Sequence, residues 1–319
     1  MKAAFLDFAT VGSDEVDVSP LQSLTESFDV YDNTPPEEVV DRVAGCDFVY
    51  VNKVRFTREI IEQSSDLKFI GLIATGTDNV DLDAAREKQI AVCNIRAYCT
   101  HSVVEHVFAV LLSLSHNIGN YHASVRRGDW QNAVDFCMLG FPIRELSAMT
   151  IGIVGYGELG SNVARVAESF GMKVIISRRP GTTDGQEDGR LEFEDVLREA
   201  DVVTLHCPLT AETRGLIGAR ELELMKPGAF LINTARGGLV DSAALVKALA
   251  DGVIAGAAID VLTTEPPVDG DPILDYDGDN LIVTPHIAWA TVEARQNAIN
   301  EVALNVESFL GGGRRNRVV

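Results

Sequence analysis

The chain has 319 residues, 46% of them hydrophobic, and a formal charge of −20 at pH 7, so it can bury two substantial cores and is not a disordered protein. That charge excludes nucleic acid and anionic membrane as partners, because both select a basic face. The five cysteines form no Cys-x-x-Cys pair, which reads as reduced thiols and no metal site; no apolar leader opens the chain and no apolar run is long enough to span a bilayer, so a cytoplasmic protein is expected.

In chain order, Ala3 to Phe8 reads as a buried strand, Pro20 to Phe28 as a short helix and Val30 to Tyr31 as a second strand. Acids after Pro35-Pro36 start a helix at Glu37 to Ala44, and the β-branched run Asp47 to Asn52 is a strand. Helix Thr57 to Ser64, strand Phe69 to Ile73, helix Asp83 to Lys88 and strand Ile90 to Cys93 complete an α/β unit. The loop from Ala74 to Asn79 leaves a strand's carboxyl end, where ligands bind in open α/β sheets; Thr75-Gly76 either offers bare amides to an anion or simply turns the chain. A long helix from near Ser102 is expected to connect two domains, and Pro142 to Ala148 is a polar link.

The second unit opens on Ile151 to Ser161, an apolar run that stops at Gly155, Gly157 and Gly160. This is dinucleotide-binding spacing: Gly155 for the tight turn, Gly157 for backbone approach to a pyrophosphate, Gly160 for close packing of the next helix. Strand Thr150 to Val154, a helix from Ser161 to Phe170 and strand Lys173 to Ile176 make one βαβ unit around it. Strands Val202 to Cys207, Phe230 to Thr234, Ile254 to Asp260 and Leu281 to Thr284 alternate with helices Glu194 to Glu199, Ala219 to Leu224 and Ser242 to Leu249. A helix from Glu293 to Leu310 closes the chain, with Gly311 to Arg315 expected to fray.

An acid is normally found about 20 residues beyond such a glycine turn, on the ribose diol of NAD. Here the positions hold Ser177-Arg178-Arg179. Two guanidinium groups suit a 2′-phosphate, so NADP(H) is favoured, and NAD(H) stays open because the arginines can equally be solvated or stack on adenine.

Three strand ends deliver Arg236, Glu265 and His286. An arginine fork holds a carboxylate and polarises a carbonyl; a histidine beside a carboxylate serves as general acid. These are the groups that reduction of a 2-keto acid needs. Trp289, three residues past the histidine, is placed to limit substrate size.

Asn233 to Asp241, Asp260 to Pro267 and Thr284 to Thr291 resemble the three signatures of the D-isomer-specific 2-hydroxyacid dehydrogenases, with a similarity running nearly the whole chain. The resemblance implies two doubly wound, Rossmann-like parallel-sheet domains: a substrate domain of residues 1–98 and 288–319, and a cofactor domain, 99–287, inserted into it. It implies that Asp260 holds the nicotinamide carboxamide, that Thr75 and Gly76 grip the substrate carboxylate, and that His206, Cys207 and Pro208 border the cofactor. Expected cofactor contacts extend to Glu158, Leu159, Thr213, Thr234, Ala235 and Ala288. The connector helix and the segment after it would pair two subunits as a homodimer. Trp289 and the run around Asp135 to Leu146 are most similar to the glycerate dehydrogenase, or hydroxypyruvate reductase, branch. Glu265 speaks against formate oxidation, and a phosphorylated substrate would ask for more basic residues. A dinucleotide-sensing corepressor-like protein of the same fold is the alternative from another class.

Overall fold

In the computed structural model, which describes residues 1–12, 15–179 and 189–319, the chain divides into two compact units, Met1–Cys99 with Trp289–Val319, and Thr100–Ala288. Each is built on one wholly parallel sheet.

In the first unit, strands β1 (Lys2–Phe5), β2 (Ser27–Val30), β3 (Phe48–Val51), β4 (Phe69–Leu72) and β5 (Ala91–Cys93) lie in the order β2-β1-β3-β4-β5. Both faces are covered, so the central strands are apolar without alternation. On β1 and β3, Ala3, Phe5, Phe48 and Tyr50 pack on one face with Ala298, Ile299 and Val302 of helix Val292–Leu310. Ala4, Leu6, Val49 and Val51 pack on the other against Val39, Val43 and Ile61. The sequence reading differs at two places. Residues 27 and 28 belong to edge strand β2, not to a helix, which is only Ser19–Gln22. The end of the chain is tied down rather than frayed: Arg315 pairs with Glu301 at 2.9 Å, and Val318 N donates to Val92 O at 2.7 Å beside β5.

The second unit has strands β6 (Thr150–Val154), β7 (Lys173–Ile176), β8 (Val202–Leu205), β9 (Phe230–Asn233), β10 (Gly256–Ile259) and β11 (Leu281–Val283), ordered β11-β10-β9-β8-β6-β7. A parallel bridge from Ser177 to Leu191 carries the pairing one step past β7. The helix expected to connect the domains, Thr100–Ser115, is part of this unit's core through Val104, Val107, Phe108 and Leu111, which meet Ile151 and Ile153. Each such side chain, fully buried, contributes about 1.5–3 kcal/mol. A further helix, Ile118–Arg127, follows Thr100–Ser115; its few apolar side chains, Ile118, Tyr121 and Val125, fall at helical spacing among polar neighbours. Among the described residues no helix is long and apolar enough to cross a membrane.

Candidate active site

Strand order reverses between β7 and β8 on either side of β6, which opens a crevice at the carboxyl edge where ligands bind. The glycines fit this place by necessity. Gly155 has φ +98°, and a β-carbon on it would lie 2.5 Å from Cys207 N, at the end of the neighbouring β8. One on Gly160 would lie 2.1 Å from Gly155 O, so helix Glu158–Ser169 seats directly on the turn. A β-carbon on Gly157 meets no atom within 4 Å, leaving the helix approach open. Gly157 is also the N-cap and has no side chain to accept from the first turn, and an uncapped helix N-terminus attracts anions. Glu158 and Leu159 form that turn, and the Thr100 hydroxyl donates to Glu158 Oε1.

Buried polar atoms without partners mark the same edge. Arg178 Nε after β7, His206 Nδ1 after β8 and Thr234 Oγ1 after β9 are all buried and unbonded. A ligand with donors and acceptors laid across successive strand ends is what such atoms lack. A dinucleotide fits this donor set. His206 is held through Nε2 to Thr204 Oγ1 at 2.9 Å, and burial lowers its pKa to about 4, so it stays neutral. Burial raises the thiol of Cys207, which makes it a poor nucleophile.

Around the end of β7 the structure changes one premise. The sequence window after Ile176 holds no acid, yet the Ser177–Leu191 bridge brings Glu192 alongside, and Arg178 Nη1 donates to Glu192 Oε1 at 2.7 Å. Ser177 is buried, its hydroxyl donating to the Arg178 carbonyl. Arg190, which the sequence did not single out, has its guanidinium 5.8 Å from the Tyr156 ring, so three arginines, 178, 179 and 190, share this end of the crevice. Thr213 is buried and its hydroxyl donates to Pro208 O at 2.7 Å while accepting from Thr210 N; it shapes the loop.

At the ends of β9, β10 and β11 the three residues expected to be catalytic come together. Arg236 is exposed, its Nη1 donating to Ala235 O at 2.8 Å. Its loop is set by Asn233, fully buried, which donates through Nδ2 to Arg236 O and accepts from Ala235 N. Gly237 could carry no side chain, since a β-carbon would lie 2.0 Å from Leu262 C, so the Arg236 loop abuts the chain leading to Glu265. Glu265 Oε1 accepts from Leu262 N at 2.9 Å, and Oε2 is 2.6 Å from His286 Nδ1. That pairing places the ring proton on Nδ1. Asp260, nearly fully buried, accepts from Thr284 Oγ1 (2.6 Å), Ile287 N (2.9 Å) and Ala288 N (2.9 Å). Ala288 thus has its amide on Asp260 and its carbonyl on Ser102 Oγ at 2.7 Å. Asn233 and Asp260 organise the site from behind. The sequence reading gave Asn233 no role, although its place at a strand end just before Arg236 is the signal that marks it.

In the first unit the loop after β4 is built for rigidity. Thr75 Oγ1 donates to Ile95 O at 2.9 Å, Asn94 Nδ2 donates to Thr75 O at 2.7 Å, and Gly76 follows without a side chain. Trp289 meets Tyr98 edge to face, centroids 6.2 Å apart.

Residues 108–288 match the family model described as D-isomer specific 2-hydroxyacid dehydrogenase, NAD binding domain. The chain is 46% identical over 289 residues to the glycerate dehydrogenase of Methylorubrum extorquens, covering 90% of each. It is 36% identical over 323 residues to the hydroxypyruvate reductase of Blautia hydrogenotrophica, covering 100% of this chain and 99% of that one. Among solved structures it superposes on an acyclic imino acid reductase in complex with NADPH and D-Arg, with a TM-score of 0.86, 31% identity and full coverage of both chains. A D-isomer specific 2-hydroxyacid dehydrogenase from Lactobacillus delbrueckii ssp. bulgaricus in NAD complexed form gives a TM-score of 0.80 at 28% identity, again with full coverage of both.

Proposed function

Because the chain belongs to the D-isomer-specific 2-hydroxyacid dehydrogenases, we propose that it reduces a small 2-keto acid, hydroxypyruvate or glyoxylate, with NADPH. The observation that carries the reading is the His286 and Glu265 pair, 2.6 Å apart at the same strand edge as the glycine turn. A nicotinamide cofactor held along this crevice would supply the hydride for the keto carbon. His286, fixed through Nδ1 by Glu265, gives a proton from Nε2 to the carbonyl oxygen as it becomes an alkoxide. Arg236 binds and polarises the substrate by its guanidinium. The substrate carboxylate is assigned to the Thr75-Gly76 amides, and Trp289 to limiting the size of its tail.

The residues assigned to the cofactor are Gly155, Gly157, Glu158, Leu159 and Gly160 for the pyrophosphate, Ser177, Arg178 and Arg179 for the adenosine end, and His206, Cys207, Pro208, Thr234 and Ala235 along the crevice. The arginine cluster supports NADPH; the names of the sequence relatives support hydroxypyruvate and glyoxylate. A homodimer in the cytoplasm belongs to the same proposal. The pairing of subunits is supported by the apolar side chains the arm of residues 130–143 leaves uncovered, with Val134, Phe136 and Leu139 each more than four-fifths exposed.

The experiment is a matrix of initial rates: hydroxypyruvate, glyoxylate, pyruvate and bulkier keto acids, each with NADPH and NADH. Turnover of the two small substrates above the rest, faster with NADPH, is expected. Cofactor binding without turnover of any keto acid would instead favour a dinucleotide-sensing protein.

A further inference from the structure

His286 sits in the left-handed region, φ +56°, a conformation that residues with a β-carbon enter only when their surroundings over-determine it. The surroundings here are specific. Its own amide donates to Asp260 O at 2.7 Å, and the Asp260 carboxylate takes the next two amides, Ile287 N and Ala288 N. The carboxylate is itself held from the other side: Thr284 Oγ1 donates to Asp260 Oδ1 at 2.6 Å. A hydroxyl has one proton, so Thr284 accepts from His106, whose Nε2 is 3.1 Å from Thr284 Oγ1 and 3.8 Å from Asp260 Oδ1. That fixes His106 as the tautomer with its proton on Nε2. One helical turn earlier, Ser102 Oγ donates to Ala288 O at 2.7 Å in a fully buried contact. Helix Thr100–Ser115 therefore grips the segment 284–288 at both ends, with His286 at its centre.

We propose that His106 and Ser102 are positioning residues for His286, acting through Thr284 and Asp260 to hold the strained backbone that aims its ring. Neither needs to touch substrate. The grip acts on the segment whose middle residue reacts, so loosening either end lets His286 relax toward an ordinary conformation and away from the reacting oxygen. The inference rests on the reading of His286 as proton donor.

The test compares His106→Leu, His106→Gln and Ser102→Ala in the intact enzyme, alone and combined with His286→Gln. His106→Leu is expected to lower kcat roughly tenfold, the worth of one hydrogen bond, while KM and the cofactor dissociation constant stay within about twofold. His106→Gln keeps an N–H for Thr284 and recovers most of the loss. In the His286→Gln background, His106→Leu costs nothing more, because its effect passes through the missing imidazole. An unchanged kcat in His106→Leu, or losses that multiply in the double variant, overturns the proposal; if His106→Leu does not fold, Ser102→Ala is read by the same criteria. An undiminished kcat in His286→Gln alone would instead remove the role of His286 itself.

Discussion

Glu192→Gln should tighten NADPH and leave NADH alone. In the structure Glu192 Oε1 accepts a hydrogen bond from Arg178 Nη1 at 2.7 Å; the arginine side chain is 19% exposed and the glutamate 62%. A pair so open to water on one side holds together by about 0.5–1 kcal/mol. A 2′-phosphate, with a charge of about −1.5 to −2 near neutral pH, must share Arg178 with that carboxylate or displace it. Removing the glutamate charge returns that fraction to the ligand, a gain of roughly two- to fivefold in NADPH affinity. Arg178→Ala acts the other way: a hydrogen bond between charged groups is worth about 1.5–3 kcal/mol, so NADPH should lose roughly 10- to 100-fold relative to NADH. The assay is kcat/KM for both cofactors at one saturating keto acid concentration and fixed ionic strength, since salt weakens both effects. Equal changes for NADPH and NADH in Arg178→Ala would refute a phosphate clamp. Equal changes in Glu192→Gln alone would leave the clamp and remove Glu192 from it.

Gly160→Ala should abolish dinucleotide binding and lower stability by about 1–3 kcal/mol, because its β-carbon would lie 2.1 Å from Gly155 O; thermal denaturation and NADPH fluorescence titration check this, and a well-folded variant that binds normally contradicts it. His206 gives a pH signature. Burial lowers its pKa from 6.5 to about 4, so between those values the unfolded chain binds the extra proton and stability falls as pH drops from about 6.5 toward 4, by up to about 3 kcal/mol. His206→Gln should flatten that part of a stability profile measured without cofactor, and an unaltered acid slope counts against it.

The fold was legible because its strands are buried on both faces. Runs such as Thr150–Val154, Phe48–Val51 and Phe230–Asn233 are short, apolar and β-branched or aromatic, and glycines or polar residues bound them. The edge strand β2 was harder, since Ser27–Val30 is half-exposed and lacks a continuous apolar run. The position of Arg236, Glu265 and His286 could be read because each follows a strand and so must lie at one edge. Glu192 could not, because its approach to Arg178 depends on a bridge between Ser177 and Leu191, a pairing that local sequence does not announce. His106 carries no local signal for a similar reason: only tertiary packing sets it under Thr284. Gly311 to Arg314 are exposed, as glycine and arginine suggest, but the fraying expected of this end is prevented by Glu301 and β5, which supply partners from far along the sequence.

The order of the chain also governs the order in which its surfaces close. Thr100–Ala288 is unbroken, whereas the other unit draws on both Met1–Cys99 and Trp289–Val319. On a ribosome the unbroken unit can complete its core as soon as β11 emerges. The face of β1, β3 and β4 that carries Phe5, Tyr50 and Phe69 is covered only in part, by Val11, Val16 and Leu21, until Ala298, Ile299 and Val302 have been made. The first strands synthesised are thus among the last to be sealed, and a truncation within Val292–Leu310 exposes aromatic surface at the opposite end of the sequence, where a chaperone or a protease would meet it first.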